Sequence, residues 1–207
     1  MKRKNIQDGI NSREGIDLIT KLFSILFAAV FLSSCATVPI SATTNTQIFF
    51  SPNGGCQLAV TAQISKATKT IDIAMYYLTA REISQELIKA KDRNVRIRIV
   101  LDKSQEGGTY AKSRFLIKKG INARIHTGSG LMHNKFAVID GKILITGSFN
   151  WTATAEAKNE ENLLIITDPS LIVKFQDRFE QLWKSTRDVQ LKKEPDEGAE
   201  NVEKNGN

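Results

Sequence analysis

Apolar residues recur along the chain with two different periods, and the switches between them mark the elements. Residues 47–50 read as a short strand, closed by the turn cluster Ser51-Pro52-Asn53-Gly54-Gly55. Leu58, Ala59, Ala62, Ile64 and Ala67 then follow at roughly helical spacing. Residues 70–78 form a β-rich run containing Ile71, Ile73, Met75 and Tyr77. Thr79-Ala80-Arg81-Glu82 has the form of a capping box, with Ile83, Leu87, Ile88 and Ala90 on the apolar face of the helix it would start. Residues 95–101 give another strand, alternating at first and continuously apolar at its end. A loop over 105–110 precedes a basic helix over 111–119 that stops at Gly120. Strands are expected at 121–126, 135–139, 143–146 and 163–167, with Asp140-Gly141 as the turn of a hairpin. Asp168-Pro169 opens a last helix whose face carries Leu171, Ile172, Phe175, Phe179 and Leu182. Strand–helix alternation early and a hairpin late predict an α/β fold, a mixed β-sheet flanked by helices.

The two ends of the chain do not share this pattern. Residues 1–35 read as an export leader: a polar stretch with Lys2, Arg3, Lys4, Arg13 and Lys21, then an apolar run of 11 residues over 22–32. That run is too short to span a bilayer and fits the apolar core of a signal peptide. Leu32-Ser33-Ser34-Cys35 resembles a bacterial lipobox, which would make Cys35 the lipidated first residue of an exported, membrane-anchored or periplasmic protein. Plain cleavage without lipidation and an uncleaved amphipathic anchor are the alternatives. Residues 36–46 then form a linker, 47–185 one folded domain, and 186–207 a polar tail poor in apolar residues that reads as disordered.

Two cysteines, Cys35 and Cys56, cannot build a disulfide framework, and Cys56 reads as a small buried thiol. With two histidines and no ligand spacing for zinc or a two-metal centre, neither a metal nor another cofactor is expected. The formal charge is +7, and residues 45–184 hold 20 Lys and Arg against 13 Asp and Glu. The folded part therefore carries that surplus, which favours a polyanion or an anionic membrane surface as partner.

The candidate chemistry lies in Met132-His133-Asn134-Lys135-Phe136 and in Gly147-Ser148-Phe149-Asn150, one on each arm of the expected hairpin. In extended chain, positions i and i+2 share a face, so His133 and Lys135 stand side by side and Ser148 and Asn150 return beside them. An imidazole, an ammonium, a hydroxyl and an amide at one sheet edge suit a phosphodiester: a nucleophile or acid–base group beside donors for the phosphoryl oxygens.

The spacing His-x-Lys-x4-Asp, six residues, then Gly-Ser-x-Asn resembles the signature of the phospholipase D superfamily. The likeness runs from about Ile48 to Trp183 and includes Thr146-Gly147-Ser148-Phe149-Asn150-Trp151-Thr152 and Glu160-Glu161-Asn162-Leu163. It implies an α-β-α sandwich. Large phospholipases of the superfamily carry the signature twice; this chain carries it once. In this it resembles small bacterial endonucleases and mitochondrial cardiolipin hydrolases, which dimerise to complete one active site. The resemblance implies His133 as nucleophile, forming a phosphohistidine, with His133 of a second copy protonating the leaving group. Lys135, Asn150 and Ser148 would serve the phosphoryl oxygens. Glu161, preferred over Glu160, would hold the imidazole tautomer. Asp140 completes the signature, but its place in an Asp-Gly turn points to a structural role. His126 reads as a strand-end histidine with local contacts, or else as a substrate contact.

Two substrates fit this chemistry. Nucleic acid, cut with little sequence preference, fits the net charge, the basic positions Lys112, Arg114, Lys118 and Lys119, and Tyr110 and Trp151 as stacking groups or else core. Membrane phospholipid fits the anchor. A non-catalytic polyanion-binding lipoprotein is the remaining alternative, and binding alone would not need His133, Lys135, Ser148, Asn150 and Glu161 together.

Overall fold

The computed structural model of the chain describes residues 45–106 and 112–189. The expected leader with Cys35, the loop residue Tyr110 and the tail beyond Val189 lie outside the described residues.

Eight strands of the described residues form one sheet: β1 (Thr46–Ser51), β2 (Thr70–Met75), β3 (Arg96–Leu101), β4 (Asn122–His126), β5 (Lys135–Ile139), β6 (Ile143–Gly147), β7 (Glu161–Ile166) and β8 (Thr186–Asp188). Their order is β1-β7-β6-β5-β2-β3-β4-β8. β2, β3 and β4 run parallel, whereas β5 is antiparallel to β2 and begins an antiparallel run through β6 and β7 to β1. The mixed sheet expected from the pattern is therefore present. Among the described residues, five α-helices accompany it: α1 (Cys56–Lys66), α2 (Arg81–Asp92), α3 (Ser113–Lys118), α4 (Ala153–Ala157) and α5 (Pro169–Lys184).

Two separate cores, one on each face, make this an α-β-α sandwich. One joins Val60 and Ile64 of α1, Ile83 and Leu87 of α2 and Leu116 of α3 to Ile71, Ile73, Ile97 and Ile99 of the sheet. The other seats Ile172, Phe179 and Leu182 of α5 on Ala74, Val100, Phe136, Val138 and Leu144. Because both faces are covered, the central strands read as nearly continuous apolar runs rather than clean alternations. Asp72, on the α5 face of β2, is a polar exception and is 2% exposed. Arg98 grips it with two 2.8 Å bonds, and Gln176 of α5 donates to it at 2.8 Å.

The Asp140-Gly141 hairpin forms as expected, with φ of 54° and 63° at its two central residues. Both lie in the left-handed region that the tight turn of a twisted hairpin needs. Gly120 (φ 80°) likewise ends α3, its N–H returning to the Ile117 carbonyl at 2.8 Å.

Several expectations need correction. Thr79 does not cap α2: the N-cap is Ala80, with no side-chain bond. The Thr79 and Ala80 N–H groups donate instead to the Trp151 carbonyl at 2.9 and 3.0 Å, so a tertiary contact has claimed the segment. Leu58 and Leu171, assigned to apolar faces, are 73% and 37% exposed. The ordered domain also extends past residue 185. Thr186–Asp188 pair with β4, and Arg187 makes two 2.6 Å bonds to Glu106. Local composition placed the tail too early because an edge strand needs few apolar residues of its own.

Candidate active site

The sheet topology gathers the candidate residues at one end. Parallel β2 and β3 finish there, β6 finishes there, and antiparallel β5 and β7 start there. Tyr76 follows β2, Asp102 follows β3, His133 and Lys135 open β5, Ser148 and Asn150 follow β6, and Glu161 opens β7.

His133 is exposed and lies two residues before the paired part of the strand, while Lys135 is half-buried. The ladder nevertheless reaches between them, since the Tyr76 N–H donates to the Asn134 carbonyl at 2.9 Å. The expected juxtaposition is present. Lys135 Nζ lies 3.0 Å from His133 Nδ1 and 3.2 Å from Nε2, and donates to the His133 carbonyl at 2.9 Å. Burial pulls the pKa of Lys135 below its ordinary value, and the negative charge of Glu161 partly opposes that shift.

Beneath the pair sits a residue that sequence reasoning passed over. The Tyr76 ring centroid is 4.4 Å from that of His133, and Lys135 Nζ is 5.1 Å from the Tyr76 ring. The Tyr76 ring thus lies against both side chains, with the Lys135 ammonium over it. Its signal in the sequence was only an aromatic at the end of an apolar strand, which core packing explains equally well.

Ser148 and Asn150 are carried on a turn built around Gly147. With φ at 147°, a Cβ on Gly147 would strike the Asn162 carbonyl oxygen, so glycine alone lets the two strands close up. The Ser148 N–H donates to the Asn162 carbonyl at 3.1 Å and to Asn162 Oδ1 at 3.2 Å, while Ser148 Oγ accepts from the Asn162 N–H at 3.0 Å. Asn162, quoted above only as part of the Glu-Asn-Leu motif, is thus the clamp of the Ser148 turn. Asn150 follows on the chain, held by the Trp151 N–H, which donates to the Tyr77 carbonyl at 3.0 Å. Asn150 Oδ1 is buried with no hydrogen-bond partner among the described residues.

The acidic positions divide differently from expectation. Glu161 accepts from Asn159 at 3.0 Å and acts electrostatically on Lys135; among the described residues, the His133 ring meets Lys135 and Tyr76 and not Glu161. Its expected role as tautomer-holder therefore has no hydrogen bond behind it here. Asp140 sits at the far end of β5, five residues from Lys135 and so about 16 Å away in extended chain. Its carboxylate accepts from the N–H groups of Thr68, Lys69 and Thr70 and from the Thr68 hydroxyl, all at 2.8–2.9 Å. Burial pushes its pKa up, but those donors outweigh it and hold the carboxyl below its ordinary value. Asp140 completes the signature, and these bonds are those of the structural role to which its Asp-Gly turn pointed.

The remaining candidates sort as follows. His126 ends β4 at the same end of the sheet, with its ring beside Gly128. Trp151 is 1% exposed and belongs to the core, so it offers no stacking surface. Cys56 is fully buried, and burial together with Glu156 raises its pKa. The basic positions of α3 are spread along it. α3 leads from the site end of β3 to the start of β4 at the opposite end, so Lys112 lies near the site and Lys118 and Lys119 lie away from it. Among the described residues, no group of three His, Cys, Asp or Glu side chains could hold a metal ion.

Comparison with known proteins gives the family of the chain. The family model "Cardiolipin synthase, PLD-like domain" matches residues 60–183, more than half of the chain. A mitochondrial cardiolipin hydrolase of Chlamydomonas reinhardtii is 39% identical over 123 residues, which cover 58% of this chain and 54% of that protein. A phospholipase D of Rickettsia prowazekii is 36% identical over 152 residues, 73% of each chain. The chain thus spans little more than half of the algal relative. Among solved structures, the phospholipase D family member Nuc from Salmonella typhimurium superposes with a TM-score of 0.68 at 30% identity, covering 72% of this chain and 99% of that one. With the matched segment containing the His133/Lys135 pair and the Gly147 turn, the chain belongs to the phospholipase D superfamily.

Proposed function

We propose that this chain hydrolyses phosphodiesters through His133, without a metal ion, and that nucleic acid is its substrate. The observation that carries the reading is the contact between Lys135 Nζ and both ring nitrogens of His133 at the open end of the sheet. A ring nitrogen of His133 attacks phosphorus as the bond to the leaving oxygen breaks, giving a phosphohistidine. The leaving oxygen takes a proton from His133 of a second copy. Water then attacks the phosphorus, gives its proton to that second imidazole and releases His133. Lys135, the Asn150 amide and the Ser148 turn place positive charge and donors on the non-bridging oxygens, where charge builds up in the transition state. Hydrolysis this way needs two imidazoles, which supports a two-fold dimer with both His133 side chains at its interface. Full activity from a monomer in sedimentation would overturn the dimer.

The exposed position of His133 and the basic surplus support an extended polyanion as substrate. Phospholipid is the second reading. Leu131, two residues from His133, is 60% exposed, and the rickettsial and algal relatives are named for lipid cleavage. Export with a lipid anchor at Cys35 belongs to the same proposal and would hold the enzyme at a membrane; radiolabelled palmitate incorporated by the parent and not by Cys35→Ser tests it. Plasmid DNA, RNA and phospholipid vesicles, each offered with EDTA present, decide the substrate. Nucleic-acid cleavage with intact lipid supports the first reading; head-group release alone replaces it with the second; cleavage abolished by EDTA contradicts both.

A further inference from the structure

We propose that Asp102 is the positioning carboxylate of His133, a role that rests on the phosphodiesterase reading above. Asp102 follows the last residue of β3 and is 1% exposed. A buried carboxylate is costly unless its oxygens are satisfied. Here both are, by backbone: Oδ1 accepts from the Ser104 N–H at 2.9 Å and Oδ2 from the Met132 N–H at 2.9 Å. The second bond reaches across 30 residues to the position immediately before His133. Met132 is itself 1% exposed, its side chain packed in the core beneath α5. The peptide that leads into His133 is therefore fixed from two directions, by the core and by a charge-assisted hydrogen bond.

The need for such an anchor follows from the loop. Between β4 and β5 the chain runs Thr127-Gly128-Ser129-Gly130-Leu131-Met132, with two glycines that restrain the backbone little. Thr127 is tied at one end by its N–H, which donates to the Ser185 carbonyl, and Asn134 at the other by Tyr76. Asp102 holds the loop between them at Met132, one residue before His133. Two converging N–H donors require two acceptor oxygens. An asparagine would supply one and turn its own NH₂ toward the other donor. Asp102 acts through Met132 rather than on substrate, and so differs from Glu161, whose charge acts on Lys135.

Bis(4-nitrophenyl) phosphate, a chromogenic diester that is neither lipid nor nucleic acid, tests this with the full chain. Asp102→Asn should lower kcat about 10²-fold, the effect of a roughly 1 Å displacement of a reacting group. KM should stay within about twofold, because the phosphate-binding side chains remain. Asp72→Asn, which disturbs an equally buried carboxylate remote from the loop, should keep kcat within about twofold even if it lowers the melting temperature. With two histidines in the sequence, ¹⁵N-imidazole labelling gives two ring systems, assigned by His126→Gln. Asp102→Asn should broaden or split the His133 signals and leave those of His126. If that variant does not fold, Asp102→Glu, which keeps the charge and moves the oxygens, should show the same kcat loss at steady KM. Unchanged His133 signals, an unchanged kcat, or an equal kcat loss in Asp72→Asn overturns the proposal. A parent chain inert toward the diester overturns the phosphodiesterase reading and this role with it.

Discussion

Lys135 Nζ lies 3.0 Å from Nδ1 and 3.2 Å from Nε2 of His133, so in the free protein the ammonium rests against the group assigned to attack phosphorus. Substrate phosphate would draw that ammonium onto its own oxygens and leave the ring nitrogens open. The half-buried setting lowers the pKa of Lys135, and Glu161 raises it in part. The alkaline limb of kcat/KM should therefore fall below the ordinary lysine value of about 10.4. Removing the Glu161 charge removes an upward influence, so Glu161→Gln should move that limb to still lower pH. A shift of the acid limb alone would return Glu161 to the role of tautomer-holder for His133.

Tyr76 should matter through its ring more than its hydroxyl. The ring meets both His133 and Lys135, and such contacts are worth roughly 1 kcal/mol each. Tyr76→Phe should keep near-parental kcat, while Tyr76→Leu should lose about tenfold. Equal loss in both variants would place the function in the phenol instead.

Gly147→Ala forces a Cβ toward the Asn162 carbonyl at a φ of 147°, where side chains are strained. Destabilisation of about 1–3 kcal/mol is expected in thermal or denaturant unfolding. Activity should fall too, because the displaced turn carries Ser148 and Asn150. An alanine variant with parental stability and rate would show that the strands can part there freely.

Asp140 belongs to stability rather than chemistry. Its folded pKa is depressed, so its contribution is complete above the unfolded carboxyl value of about 3.9 and is lost as pH falls through the lower folded value. Asp140→Asn should cost about 2 kcal/mol near neutral pH, and the gap from the parent should close in acid. Its kcat, measured well below its melting temperature, should match the parent; a large loss of kcat would restore Asp140 to the reaction.

Much of this was legible in the chain. The strand runs, the Asp140-Gly141 turn and the i, i+2 spacing of His133 and Lys135 are local signals, and each emerged as read. What escaped was set by tertiary pairing. Asp102 meets Met132 because parallel β3 ends beside the loop entering β5, and no local rule links positions 30 residues apart. Tyr76 reaches His133 for the same reason, through the β2–β5 pairing. The capping motif at Thr79 failed because the Trp151 carbonyl took its N–H group, and Trp151 was lost to stacking because the same contact buried it. Strand position brings Glu161 close enough to act on the Lys135 charge, but it does not by itself fix which side chain a carboxylate faces.

The most direct test is rapid acid-free quenching of the enzyme during turnover, followed by peptide mass analysis. The peptide holding His133 should carry the phosphoryl half of the substrate in an acid-labile bond, and His133→Ala should lose both adduct and cleavage while still binding the polyanion. Cleavage by His133→Ala at the parental rate, or turnover with the adduct on another residue, would contradict the account.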